Sequence, residues 1–222
     1  MVQPRFLSVA ILMSLASGAM LSPVQKPPFE EDILKFEAED KANPPVKGGV
    51  VFVGSSSIRL WKTLASDFPK HHVVNRGFGG SQMSDSVRYA HRIVTPYEPK
   101  MIFVFAGTND IAAGKSPEQV RDDFRAFVGR VRQKLPKVPI RYIAITPAPA
   151  RWDKIEEVRR ANRLVREFTR QAPHLDFVDT FRFFVDDKSG PRPDLFVGDR
   201  LHLSEKGYAV WKREVGRYMP RA

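Results

Sequence analysis

The chain has 222 residues, no cysteine and a formal net charge of +11, with 36 Lys and Arg against 25 Asp and Glu; that length suits one domain with a sizeable core. Without cysteine there is no disulfide framework, no thiol nucleophile and no lipid-attachment site. The positive charge attracts anions, but the basic residues are interleaved with acids and carry no recognition motif, which argues against nucleic acid as a partner.

Arg5 is followed by the apolar run FLSVAILMSLASGAM and a small-residue site at Ser17-Gly18-Ala19. This predicts a signal peptide over residues 1–19 and export to the periplasm or beyond. The run is about fifteen residues where a membrane span needs about twenty, so cleavage without stable membrane insertion is expected. A Pro-rich linker follows over 20–28. The domain proper, 29–222, opens with Phe29, Ile33 and Phe36 at helical spacing, stopped by Asn43-Pro44-Pro45.

Five short apolar runs then recur, GGVVFVGSS, HHVVNRGF, KMIFVFAGTND, IRYIAITPAP and LDFVDTF, each closing in small or polar residues. They predict five strands. Between the third and fourth, Ser116 caps and Pro117 starts a helix with Val120, Phe124, Phe127, Val128, Val131 and Leu135 on one face. A second helix carries Ile155, Val158, Leu164, Val165 and Phe168, and a closing helix after Ser204 buries Val210, Trp211 and Val215. Apolar strands alternating with helices predict an α/β fold, a flavodoxin-like three-layer αβα sandwich around a five-stranded parallel sheet. Ligands of such sheets bind at the carboxyl ends of the strands.

Four segments there carry the chemistry. Gly54-Ser55-Ser56-Ser57 places hydroxyls at a helix N-terminus, a setting for a nucleophile and equally for a plain cap. Gly77, Gly79 and Gly80 let backbone approach a ligand, or form an ordinary turn. Asn109, read as ending the third strand, offers an amide to an oxyanion or to an Asx-turn. Asp199 and His202, three apart before the last helix, suit a carboxylate that holds an imidazole by one nitrogen while the other faces a hydroxyl. Ile58, Phe78, Ile111, Trp152, Phe196 and Val197 lie near strand ends and read either as an apolar substrate pocket or as core.

Taken in order, GSS, GFGG, GTND and DRLH resemble the blocks of the SGNH hydrolases, the GDSL-type esterases and lipases, over about residues 48–218. The resemblance implies that Ser56 is the nucleophile, that Asp199 and His202 complete a triad, and that the Ser56 and Gly80 N–H groups with Asn109 form the oxyanion hole. Ser55 stands where the family has aspartate, and is expected to take over that residue's local hydrogen bonds while Ser57 starts the helix. The implied substrates are small-molecule or polysaccharide esters, acetyl esters among them. Lysophospholipids and thioesters are the alternative within the family, and an inactive glycan- or envelope-binding relative is the alternative outside it. No cofactor and no metal are expected, because no His/Asp/Glu cluster has zinc-site spacing. Short connections predict a site without a lid. The oligomeric state is not legible.

Overall fold

The computed structural model describes residues 26–186 and 190–221. The expected signal peptide and most of the expected linker lie outside the described residues.

Five parallel strands, β1 (Val50–Gly54), β2 (Val73–Gly77), β3 (Met101–Phe105), β4 (Ile140–Ile143) and β5 (Leu175–Val178), form one sheet in the order β2-β1-β3-β4-β5. Each was expected from its apolar run. The central strands are buried at every position, because successive side chains enter two different cores. Val51, Val53, Ile102 and Val104 face one core, completed by α1 (Glu30–Ala42), α4 (Met83–Ile93), α6 (Pro117–Arg132) and α7 (Ile155–Gln171). Val50, Phe52, Phe103 and Phe105 face the other, covered by α2 (Ser56–Arg59), α3 (Leu64–Asp67) and α8 (Glu205–Gly216). Phe52 stacks on Phe103 at 4.8 Å, and Phe105 meets Trp211 edge-on at 4.7 Å. A last helix, α5 (Thr108–Ala112), follows β3 directly.

Capping follows the residues. Ser116 Oγ accepts the Gln119 N–H at 3.2 Å while Gln119 Oε1 accepts the Ser116 N–H at 2.8 Å, a capping box with Pro117 as the first helical residue. Ser204 Oγ caps α8 by accepting the Gly207 N–H. The α1 helix buries Ile33, packs Phe36 against the same core, and is further held by charge: Arg92 pairs with Glu30 and Glu37, and buried Arg76 with Asp40.

The structure corrects three expectations. On α7 the buried stripe is Val158, Ala161, Asn162, Val165 and Thr169; Leu164 is only half-buried because it falls about one position off that stripe, and Ile155, which is on it, is half-buried at the first position of the helix. Asn162 is tolerated inside because its amide bonds both the N–H and the carbonyl of Ile145. Asn109 lies within α5, not at the end of a strand, because Gly107 adopts φ 114° and turns the chain into that helix. The connections are not all short: residues 179–204 join β5 to α8 and include the ribbon β6 (Val185–Asp186) with β7 (Gly190–Pro191).

Gly54 is the tightest point of the sheet, with φ 141° and an imagined Cβ only 1.9 Å from the Phe105 carbonyl oxygen. Gly54→Ala is expected to destabilise by roughly 2–5 kcal/mol. Gly129→Ala, on the exposed face of α6 with open space around it, is expected to stabilise by about 0.5–1 kcal/mol. Urea unfolding of the two variants beside the parent protein checks both signs.

Candidate active site

The chain leaves β1 through Gly54. The Ser55 N–H donates to the Phe105 carbonyl at 2.9 Å, which ties the turn to the neighbouring strand. The Ser55 carbonyl then accepts the Ile58 and Arg59 N–H groups, so Ser55 holds the N-cap position and Ser56 is the first helical residue. The expected start at Ser57 is thus one residue late. Ser57 is buried, and its carbonyl accepts the Tyr208 hydroxyl at 2.8 Å, fastening α8 to the turn. The Ser55 hydroxyl makes no hydrogen bond among the described residues; the side-chain role expected for it is absent, because the cap is made by its backbone.

Ser56 Oγ lies 2.9 Å from His202 Nε2, and His202 Nδ1 lies 2.6 Å from Asp199 Oδ2. Asp199 Oδ1 accepts the backbone N–H groups of Leu201 and His202, each at 2.9 Å. These bonds hold the Asp199 carboxyl down to about pKa 2: the His202 N–H acts most strongly, then the imidazole, then the Leu201 N–H. The surrounding loop is closed by bonds from the Val197 N–H to the His202 carbonyl and from the Arg200 N–H to the Val197 carbonyl, with Arg200 in the left-handed region at φ 60°.

The glycine segment after β2 is strapped to the same turn. The Phe78 N–H and the Ser81 hydroxyl both donate to the Gly54 carbonyl, at 2.9 and 3.3 Å. Gly80 has φ 82°, and neither its N–H nor that of Ser56 is taken up by a hydrogen bond among the described residues. Asn109 Nδ2 donates to the Ser81 carbonyl at 3.0 Å. Beside it Asp110 is fully buried, its two oxygens accepting the Met83 N–H at the start of α4 and one of them also meeting Lys115 Nζ at 3.2 Å. Burial pushes the Asp110 carboxyl up, against the opposing pull of the Met83 N–H and Lys115.

Ser56, Asn109 and His202 line one cleft, with Asp199 behind the imidazole. Gly80 sits in the turn leading to Ser81, whose carbonyl holds Asn109. The apolar pocket expected from Ile58, Phe78, Ile111, Trp152, Phe196 and Val197 does not form. Ile58, Phe78, Ile111 and Phe196 are buried in the two cores, Trp152 lies against Gly190, and Val197 is exposed. The walls are instead Ser55, Ser57, Phe105, Thr108, Thr146, Ala148, Arg151 and Leu201. Thr146 and Arg151 gave no motif signal in the sequence; only their place just after a strand pointed to them.

Residues 50–210 match the GDSL-like lipase/acylhydrolase family. The chain belongs to that family. It is therefore a carboxylic ester hydrolase. It is 28% identical over 172 residues to platelet-activating factor acetylhydrolase IB subunit alpha2 of Homo sapiens, an alignment spanning 72% of this chain and 71% of that protein. Among solved structures, a GDSL-like lipase of Bacteroides thetaiotaomicron superposes with TM-score 0.72 at 17% identity, covering 84% of this chain and 96% of that one. A carbohydrate esterase family 3 protein of Talaromyces cellulolyticus superposes with TM-score 0.61 at 18% identity, covering 78% and 95%. Both share the fold of this esterase.

Because Asp199 titrates lower in the folded chain than the ordinary value near 4, it contributes stability above about pH 4 that is lost as pH falls toward 2. Carbon-detected NMR of the carboxyls should find Asp199 ionised down to about pH 3. In His202→Ala its midpoint should move up without reaching the ordinary value, because the two backbone N–H bonds remain.

Proposed function

We propose that this esterase hydrolyses small carboxylic esters, in particular acetyl esters of carbohydrates, through Ser56, His202 and Asp199. The observation that carries the reading is the unbroken line of hydrogen bonds from Ser56 Oγ through the imidazole to Asp199. Ser56 Oγ attacks the ester carbonyl and passes its proton to His202 Nε2, while Asp199 holds the ring by Nδ1 and stabilises the imidazolium. The resulting oxyanion takes hydrogen bonds from the Ser56 and Gly80 N–H groups and from Asn109 Nδ2. The tetrahedral species collapses, and the alcohol leaves with the proton from Nε2. Water, deprotonated by the same nitrogen, then attacks the acyl-enzyme and releases the acid.

The cleft favours a short acyl group. Hydroxyls and a guanidinium form much of its wall, while Ile58, Phe78, Ile111 and Phe196 are buried in the two cores. A long acyl chain, as in a lysophospholipid or a fatty thioester, would find only Phe105, Ala148 and Leu201 as apolar wall. The names of similar proteins, an acetylhydrolase and a carbohydrate esterase, support the same choice. Export, resting on Arg5 and the apolar run after it, puts the proposed substrate among envelope or external polysaccharides.

Hydrolysis of p-nitrophenyl acetate, butyrate and octanoate, with Ser55→Ala, Ser56→Ala and Ser57→Ala prepared alike, tests this. Ser56→Ala should lose more than about 10³-fold in kcat, and the other two should stay within about tenfold. The kcat/KM should fall about tenfold or more from acetate to butyrate, as overfilling a packed site costs about 1–3 kcal/mol. A folded parent protein with no turnover on any of these esters would favour the glycan-binding reading instead.

A further inference from the structure

Arg151 lies between β4 and α7, in the stretch ITPAPARW. Its backbone, at φ −130° and ψ 29°, breaks the helical values of the residues around it. It is fixed on two sides, since its N–H donates to the Ala148 carbonyl and the preceding Ala150 N–H donates to the Arg200 carbonyl in the loop that carries Asp199 and His202. The half-buried guanidinium reaches across the cleft, where Nη1 donates to the Thr108 carbonyl at 2.8 Å and to Asn109 Oδ1 at 3.0 Å.

A carboxamide has nearly the same shape at both ends, yet only its nitrogen can donate to an oxyanion. Asn109 is discriminated at both ends. Arg151 has donors and no acceptor, so it takes the oxygen; the Ser81 carbonyl has only lone pairs to offer, so it takes the nitrogen. Rotating the amide by 180° would set N–H against N–H at Arg151 and oxygen against oxygen at Ser81. Of the two N–H bonds on Nδ2, one is used by Ser81 and the other remains for a ligand in the cleft. Without Arg151, one of the two contacts that reject the flipped amide is gone.

We propose that Arg151 is a positioning residue that holds the Asn109 amide with its N–H toward the oxyanion. The proposal rests on the serine-esterase reading above and on Asn109 as an oxyanion donor, and it assigns Arg151 no contact with substrate. Arg151 then acts on kcat through Asn109 and leaves KM nearly unchanged. Its effect disappears when Asn109 is absent.

The test is a double-mutant cycle on p-nitrophenyl acetate with Arg151→Met, Arg151→Lys, Asn109→Ala and the two double variants, each with its unfolding midpoint measured. Asn109→Ala alone should lower kcat by about 10²–10³-fold. Arg151→Met should lower kcat by about 10- to 100-fold with KM within about threefold, and in the Asn109→Ala background should cost less than about threefold. Arg151→Lys, which keeps one donor for Oδ1, should recover part of the loss. If Arg151→Met is too unstable to assay, the Lys variant carries the cycle with a smaller loss that must vanish without Asn109. Equal losses in both backgrounds would overturn the proposal, as would a raised KM with kcat retained. An Asn109→Ala variant at parental kcat would overturn it too, by removing Asn109 from the oxyanion site. Loss of the esterase reading itself would be recognised separately, by a Ser56→Ala protein that still turns over.

Discussion

The site depends on how closely β1 and β3 approach where they end. No residue with a Cβ fits at Gly54, because the Phe105 carbonyl occupies that space, and the Ser55 N–H closes the gap by bonding that same carbonyl. The chain must then leave the sheet sharply, and Ser56 comes out at the start of a helix. The Gly54 carbonyl holds the next segment through Phe78 and Ser81, the Ser81 carbonyl holds Asn109, and Asn109 meets Arg151. Tyr208 closes the circuit from α8 to Ser57. Each such bond contributes only about 0.5–1.5 kcal/mol net. Their shared partners make five separate chain segments keep one geometry.

Two aspartates near the site show how surroundings divide one chemistry into two tasks. Asp199 is half-exposed and sits among N–H donors that favour its charged form, so its carboxyl is held low and faces an imidazole. Asp110 is sealed at the N-terminus of α4, where burial raises its carboxyl while Met83 and Lys115 compensate. Lys115 in turn pairs with Asp123 on α6. Asp110 is thus a strut between α4, α5 and α6, with no path to the cleft.

All five strands were legible in the sequence as short apolar, β-branched or aromatic runs; the central β1 and β3, buried on both faces, carry no polar side chain at all, while β2, β4 and β5 admit only Asn75, Arg76, Arg141 and Asp176. Ser56, Asp199 and His202 were legible through the order and spacing of short blocks. The walls of the cleft were not. Ile58, Phe78 and Ile111 are as apolar as a pocket lining would be, and only tertiary packing decides that they point into the cores. Arg151 was hidden for the opposite reason: an arginine after a Pro-rich loop reads as a solvated end, and its partners lie 42 and 43 residues away in the chain. The helix start slipped from Ser57 to Ser56 because three consecutive serines are equivalent to any capping rule, and the choice is made by the Ser55 carbonyl.

The loop over residues 197–202 carries both Asp199 and His202 and is stitched to itself by main-chain bonds. The relation between imidazole and carboxylate is therefore fixed within one short stretch of chain. Outside the loop, His202 meets Ser56 at the start of α2 at 2.9 Å, and the Arg200 carbonyl accepts the Ala150 N–H from the stretch after β4. The serine and its proposed base thus come from two separate pieces of the chain, and in the proposed mechanism competence is set by how those two pieces meet.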